Sequence, residues 1–168
     1  MEFYDVVKAR RSIRGYKADP IPEAALQRIA EAINLAPSAC NRQPWRFEIV
    51  MNAEQCHRIA AIYPRPWLQE APAIVLAIGN RETCWKRFDN RSIVEVDIAI
   101  AMEHMVLAAT AEGLSTCWIC AYDQAQMDET AGVAAPWEVV AISPLGYGNT
   151  LPSDIRRKAT NETVKIIK

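Results

Sequence analysis

Three guanidinium groups and a hydroxyl fall within five consecutive positions near the N-terminus, at Arg10, Arg11, Ser12 and Arg14. Guanidinium presents a planar fork of donors that fits phosphate oxygens, and each charge-assisted bond of this kind is worth roughly 1.5–3 kcal/mol. The serine hydroxyl adds one more donor or acceptor at the same turn. A run this short, taken alone, is also what a solvated basic turn looks like. No G-x-G-x-x-G follows a predicted strand and no G-x-x-x-x-G-K-[ST] occurs. Any phosphate bound here must therefore be held by side chains and not by a glycine-rich backbone cradle. Arg156 and Arg157 in the tail read either as second clamps for the same anion or as a solubilising charged end.

Three further stretches keep company with this turn: Ala36-Pro37-Ser38-Ala39-Cys40-Asn41-Arg42-Gln43-Pro44-Trp45-Arg46-Phe47, Gly113-Leu114-Ser115-Thr116-Cys117-Trp118-Ile119 and Pro144-Leu145-Gly146-Tyr147-Gly148. In this order and spacing, from about residue 2 to residue 148, the four together resemble the nitroreductase family of flavin-dependent oxidoreductases. The resemblance implies flavin mononucleotide (FMN) as cofactor, with Arg10, Ser12 and Arg14 on its phosphate and ribityl chain and Arg11 alongside. It implies that Pro37, Ser38 and Ala39 approach the isoalloxazine from the neighbouring subunit, with Asn41 and Gln43 nearby. Asn41 in a polar loop also suits plain turn chemistry, its side chain bonding local backbone. Ile119, Cys120 and Ala121 match the strand end whose backbone faces the flavin edge near N5. Gly146 matches a glycine where a Cβ would obstruct the site, and equally reads as an ordinary turn glycine. Two departures stand out: Cys120 and Ala121 replace an acid or glycine common in the family, and the tail lacks a basic stretch running into proline and leucine.

What the family implies is hydride transfer from NADH or NADPH through flavin N5 to a small acceptor, a nitroaromatic, a quinone or similar, in a ping-pong cycle. The chemistry is the cofactor's, so no side chain is nominated as acid or base. Two other classes stay in view: a flavin-binding sensor or carrier that does not turn over, and a dithiol redox protein using Cys117 and Cys120. The latter pair has C-x-x-C spacing. It falls in a predicted strand, where positions i and i+3 face opposite sides, so the sulfurs should diverge. No second C-x-x-C completes a zinc site. His57 and His104 suit a surface and a core or interface position, and no serine–histidine–acid arrangement is visible.

These residues need elements to position them. A first helix is expected over residues 2–10, a second after Pro22-Glu23 with Leu26, Ile29, Ala30 and Ile33 as its apolar stripe, and Pro37 ends it. Phe47 to Met51 reads as a strand, and Asn52 with Gln55 caps a helix running to about Ile62. Ala73 to Ile78 is a continuous β-branched run, hence a strand buried on both faces. Asn80 to Arg91 reads as a charged loop or flap. Ser92 and Glu95 form a predicted capping box, and Gly113 is the matching stop. Between them the chain is apolar in every direction, so the helix must be buried on all sides, one way being against a second subunit. Ser115 to Ala121 and Val139 to Ile142 are predicted strands, and Asp123 with Gln126 caps a short helix ending near Gly132. The tail closes with Val164-Lys165-Ile166-Ile167, whose alternation suits an added edge strand on a partner's sheet.

The element order predicts an α+β fold of mixed α/β layers, 1–168 as a single domain, with 149–168 a tail packing on the partner subunit. The resemblance sharpens this to a nitroreductase-like fold: a central, mostly antiparallel sheet flanked by helices in an interlocked homodimer. Hydrophobic residues make up 51% and the formal net charge is −1, which excludes a disordered chain and a general nucleic-acid binder. Met1-Glu2-Phe3-Tyr4-Asp5 has neither a basic n-region nor an apolar h-region, and the longest apolar stretches carry Asp97, Glu103 and His104, so no membrane span is expected. Five scattered cysteines, an odd count, suggest reduced thiols in a cytoplasm.

Overall fold

Helices and strands alternate along the chain in the computed structural model, which describes all 168 residues. They are α1 (Phe3–Ala9), α2 (Glu23–Asn34), β1 (Trp45–Val50), α3 (Ala53–Ile62), β2 (Ala73–Asn80), α4 (Val94–Ala111), β3 (Ser115–Thr116), α5 (Gln124–Ala131), β4 (Trp137–Gly146) and α6 (Thr160–Thr163). The strands form one antiparallel sheet in the order β1-β2-β4-β3.

Every residue of β2 is buried, which requires helices on both faces of the sheet. The period of two decides which residue meets which layer. Ala73, Val75 and Ala77 join a core with Ile29 and Ile33 of α2 and Ile98, Met102 and Met105 of α4. Ile74, Leu76 and Ile78 point the other way, onto Ile59 of α3, Met127 of α5 and Leu68 in the 3₁₀ turn Pro66–Glu70. The face toward α4 carries the small residues because the helix comes close: a Cβ at Gly79 would lie 2.7 Å from Val94 Cγ2. The fold is therefore the expected α+β arrangement, a mainly antiparallel sheet between helices.

The caps at Asn52 and Asp123 form as expected, each side chain accepting from the backbone N–H three residues on. The Ser92–Glu95 capping box does not. Ser92 Oγ accepts from Val94 N–H at 3.2 Å, while Glu95 is drawn away to Arg81 at 2.6 Å, so α4 starts at Val94. The strand expected over Ser115 to Ala121 is paired only at Ser115 and Thr116, with an isolated bridge at Ile119↔Ile142. Carried on, the same register sets Cys117 opposite Pro144, which has no N–H to offer the Cys117 carbonyl. Cys117 N–H donates to Ser143 Oγ at 3.2 Å, and Ser143 Oγ in turn donates to Pro144 O.

The helix predicted to be buried on all sides is covered on one. Ile98, Ala101, Met102, Met105 and Ala109 are fully buried, whereas Val96 is 49% exposed and Ile100, Leu107 and Ala108 are half-buried. His104 Nδ1 lies 3.0 Å from the Ala32 carbonyl, tying α4 to α2, and His57 is on the surface. In the tail, Val164 to Ile167 is exposed and pairs with no strand of its own chain.

Candidate functional site

Residues 12–17 are stitched to the outer side of the sheet. Ser12 bridges Thr116 in parallel, Ile13 N–H donates to Thr116 O at 3.0 Å, and Lys17 N–H donates to Tyr147 O at 2.8 Å. Tyr16 anchors the segment from below. It is 3% exposed, stacks on Trp67, donates its hydroxyl to Ile13 O at 2.8 Å, and burial pushes its phenol far above the usual range. Tyr16 and Pro72 also explain Gly146, where a Cβ would lie 2.6 Å from Pro72 Cδ and 3.4 Å from the Tyr16 ring. That glycine has a packing reason of its own.

On this fixed backbone the three arginines part company. Arg11 Nη1 donates to Lys8 O at 2.6 Å and Arg10 O at 2.8 Å, closing the C-terminus of α1. Arg10 and Arg14 have no ion-pair partner anywhere in the chain. Beside Arg14 and Ser12 lies the buried Cys117 thiol, pushed up by burial and held back in part by the Arg14 charge and by Ser12. Two uncompensated guanidinium groups and a hydroxyl on a rigid turn are a donor set for a phosphate dianion. Such a set fits the phosphate of FMN.

Further along the same edge come Ile119, Cys120 and Ala121. Ile119 is buried and exchanges both backbone bonds with Ile142, at 2.9 and 3.0 Å. The N–H groups of Trp118, Cys120 and Ala121 have no partner within the chain. Cys120 is exposed and accepts the Trp118 indole N–H at 3.1 Å, whereas Cys117 points inward, so the two sulfurs do face apart. At about 3.3 Å per residue, Cys120 lies on the order of 13 Å from Thr116 along this edge. The edge therefore offers anion donors at one end and free backbone donors at the other.

The Pro37–Gln43 loop is elsewhere. It leads into β1 at the row Trp45–Gly79–Glu138, whereas the Ser12 turn sits beyond Thr116–Leu145–Ala73. These are diagonally opposite corners, on the order of 25 Å apart by strand rise and strand spacing. Within one chain the two sets do not meet. Arg156 and Arg157 lie in the exposed tail beside Lys158 and Glu162, with no bond to the Ser12 turn.

The loop is strained and tightly held. Cys40, Asn41 and Gln43 adopt positive φ (51°, 52° and 47°), which costs a non-glycine residue about 1–3 kcal/mol each. Ser38 Oγ accepts from Gln43 N–H at 2.9 Å, and Asn41 Oδ1 accepts from Gln43 Nε2 at 2.9 Å. Arg42 donates to the carbonyls of Thr83 and Cys84 at 3.3 and 3.1 Å. Asp97, in the first turn of α4 and 1% exposed, accepts from Ala39 N–H at 3.0 Å through Oδ1, while its buried Oδ2 has no partner. Sequence reasoning missed Asp97 and Arg42 as holders of this loop. The available signal was a lone carboxylate in the first turn of an otherwise apolar helix, where burial demands a partner.

The sequence profile of the nitroreductase family matches residues 7–64 and 57–147. A protein of Methanothermobacter thermautotrophicus, provisionally named NADH dehydrogenase/NAD(P)H nitroreductase, is 30% identical over 88% of this chain and 78% of its own length. The FMN reductase [NAD(P)H] of Bacillus subtilis is 26% identical over 97% of this chain and 59% of its own. A crystal structure of a nitroreductase family protein from Clostridium novyi NT superposes with a TM-score of 0.83 at 33% identity, covering 89% of this chain and 86% of that one.

Asp97→Ala removes the acceptor that fixes the loop. Its expected effects are a loss of about 1.5–3 kcal/mol in urea unfolding, the range for a hydrogen bond to a charged group, and faster hydrogen exchange at the Ala39 amide. Unchanged protection at Ala39 would show that the loop keeps its shape without the carboxylate.

Proposed function

The chain belongs to the nitroreductase family, and from that premise we propose that it is a homodimeric, FMN-dependent oxidoreductase using NAD(P)H to reduce a small acceptor such as a nitroaromatic or a quinone. The observation that carries this reading is the pair of unpaired guanidiniums, Arg10 and Arg14, beside Ser12 at the head of an edge with free backbone donors. The name of the Bacillus subtilis relative supports FMN and NAD(P)H as the ligands.

When bound, FMN supplies the redox chemistry, accepting hydride at N5 and returning electrons to the acceptor. The chain's own work is to bind and orient. Arg10, Ser12 and Arg14 grip the phosphate and ribityl chain, with Arg11 holding the turn's shape through the end of α1. Ile119, Cys120 and Ala121 border the ring edge with backbone groups, and Gly146 keeps the turn beneath them closed on Pro72. Pro37, Ser38, Ala39, Asn41 and Gln43 cover the ring from the second copy, because their corner cannot reach the Ser12 turn of their own chain. A ring face left uncovered by these residues would serve nicotinamide and acceptor in succession. The diverging sulfurs of Cys117 and Cys120 speak against a dithiol mechanism.

A second copy is also what the surface calls for. Phe3, Tyr4 and Val7 of α1, Val96 of α4 and Val164, Ile166 and Ile167 of the tail are all exposed. In this reading the α4 faces pack together and residues 149–168 lie on the partner, carrying Arg156 and Arg157 as outer clamps. The five free thiols fit a cytoplasmic setting.

Four measurements test this. In light scattering the FMN-loaded protein is expected to be a dimer at micromolar concentration, and a stable loaded monomer would refute the shared site. Arg10→Ala or Arg14→Ala should weaken FMN binding by roughly 1.5–3 kcal/mol, one to two decades in Kd, with a smaller loss for riboflavin, which lacks the phosphate. Equal losses for both ligands would remove these arginines from the phosphate. Anaerobic NADH or NADPH should bleach the bound flavin before any acceptor is added, and steady-state turnover should give parallel double-reciprocal lines. Failure of both nucleotides to bleach a loaded dimer would leave a flavoprotein that does not turn over.

A further inference from the structure

We propose that Tyr16, gripped by Glu70 and Asn149, is the positioning residue of the phosphate turn, and that its phenol makes Arg14 selective for a terminal phosphate by fixing the Ile13–Arg14 peptide. This rests on the reading of Arg10, Ser12 and Arg14 as the phosphate grip, and adds the residues that keep the grip in shape.

Arg10 and Arg14 stand within five residues of each other with no acidic partner, so their like charges repel when no anion lies between them. Arg14 is exposed, and packing of its own side chain does not set where the guanidinium points. The backbone beneath it must do so. A backbone already in place lowers the cost of collecting both side chains around one phosphate.

Every polar group of Tyr16 has a partner. Its N–H donates to Glu70 Oε2 at 3.2 Å, its carbonyl accepts from Asn149 Nδ2 at 2.9 Å, and its hydroxyl donates to Ile13 O at 2.8 Å. Asn149 N–H also donates to Gly15 O at 3.1 Å, so one residue holds two successive carbonyls. Gly15 permits that approach, since a Cβ there would run into Asn149 Oδ1 and Thr150 Cγ2. The two holders come off the same end of the two central strands. Glu70 closes the 3₁₀ turn Pro66–Glu70 just before β2, and Asn149 follows β4, in which Leu145 lies opposite Ala73. Trp67 of the same turn stacks on the Tyr16 ring at 6.4 Å. The phosphate turn thus takes its rigidity from the buried centre of the sheet.

The hydroxyl carries that rigidity to the site. Ile13 N–H is taken by Thr116 O and Ile13 O by the phenol, so the peptides on both sides of Ile13 are fixed. The second of them leads straight into Arg14. Burial raises the phenol far above its ordinary range, with the Cys117 thiol adding to the shift and Arg14 opposing it, so the hydroxyl stays a neutral donor. A phenylalanine would fill the same space against Trp67 and lack only the bond to Ile13 O, which isolates the role of the hydroxyl.

The test uses the full-length protein, freed of flavin and titrated with FMN and with riboflavin by quenching of flavin fluorescence, and the FMN-loaded protein in phosphorus NMR. The unaltered protein should prefer FMN by roughly a hundredfold, and Arg14→Ala should lose most of that preference. Tyr16→Phe should lower the preference about three- to tenfold while riboflavin affinity stays within about twofold. It should also move the FMN phosphorus resonance and leave the visible flavin spectrum in place. Glu70→Ala and Asn149→Ala, both at exposed positions, should repeat these effects. Glu70→Gln, whose amide oxygen still accepts from Tyr16 N–H, should behave as the unaltered protein. Tyr16→Phe combined with Glu70→Ala should lose no more than about twofold beyond the larger single loss, because both act through one bond.

An unchanged preference in Tyr16→Phe, alongside its collapse in Arg14→Ala, overturns the proposal and leaves the phosphate grip standing. So does a parallel loss of FMN and riboflavin, since the phenol would then support the fold alone, and so does a phosphorus resonance identical in every variant. Fully additive losses at Tyr16 and Glu70 overturn the route through the phenol. Should Tyr16→Phe fail to fold, the pair Glu70→Ala and Glu70→Gln decides: a preference lost in the first and kept in the second supports the proposal, and a preference equal in both overturns it. An unaltered protein that binds FMN and riboflavin equally overturns the phosphate reading and the proposal with it.

Discussion

A rigid antiparallel sheet keeps the Ser12 turn and the Pro37–Gln43 loop at opposite corners, and most of the molecule's design follows from that separation. α4 runs the same diagonal. Its eighteen residues, at about 1.5 Å each, span about 27 Å, comparable with the distance estimated across the strands. Its N-terminal turn holds the loop through Asp97, and its C-terminus hands the chain through Gly113, at φ 76°, to Ser115 and Thr116 beside Ser12. With β2 buried at every position beneath it, this strut cannot bend to bring its ends together. A site that uses both corners must take them from two copies, and the half of α4 left uncovered is where a second copy can lie.

The same strut explains how a strained loop persists. Three non-glycine residues at positive φ would relax unless their surroundings over-determine them. Ser38 and Asn41 supply local acceptors, Arg42 ties the loop to the carbonyls of Thr83 and Cys84 after β2, and Asp97 fixes Ala39 from the helix. A carboxylate in the first turn of α4 is also where the helix dipole favours negative charge. Only Oδ1 is satisfied, so half of the carboxylate's bonding capacity is buried without a donor.

Where apolar periodicity was strong the sequence announced the structure. The buried run at β2, the stripe Leu26–Ile33, the caps at Asn52 and Asp123 and the stop at Gly113 all depend on local rules that act within a few residues. The misses share a cause, which is a partner distant in sequence. Glu95 could not be seen to leave Ser92 for Arg81, itself paired with Glu138 across 57 residues. The strand after Thr116 stops because Pro144 stands opposite Cys117, a fact of register and not of the local residues. At the site, the chemistry of Arg10, Ser12 and Arg14 was legible because guanidinium clusters have few uses. The diversion of Arg11 to the end of α1 was not, nor was the bond between Asp97 and Ala39, 58 residues apart. The stretch from Asn80 to Arg91 reads as a charged loop or flap, and the backbone bonds that turn Arg87–Arg91 and Trp85–Ile93 back on themselves are invisible to residue type.

The interruption at Pro144 has a chemical consequence. A fully paired edge would leave the outer backbone groups of residues 117–121 in a regular row, an invitation to another strand. Here the ladder lapses after Thr116 and resumes only at Ile119, Cys117 is taken up by Ser143, and the Trp118 indole folds onto Cys120. What remains outward is a short, irregular set of donors at Trp118, Cys120 and Ala121, too uneven for strand addition. An extended ligand with an anion at one end and acceptor atoms at the other meets Arg10, Ser12 and Arg14 first and these N–H groups second. Cys120 adds a sulfur, and no carboxylate, at that second position.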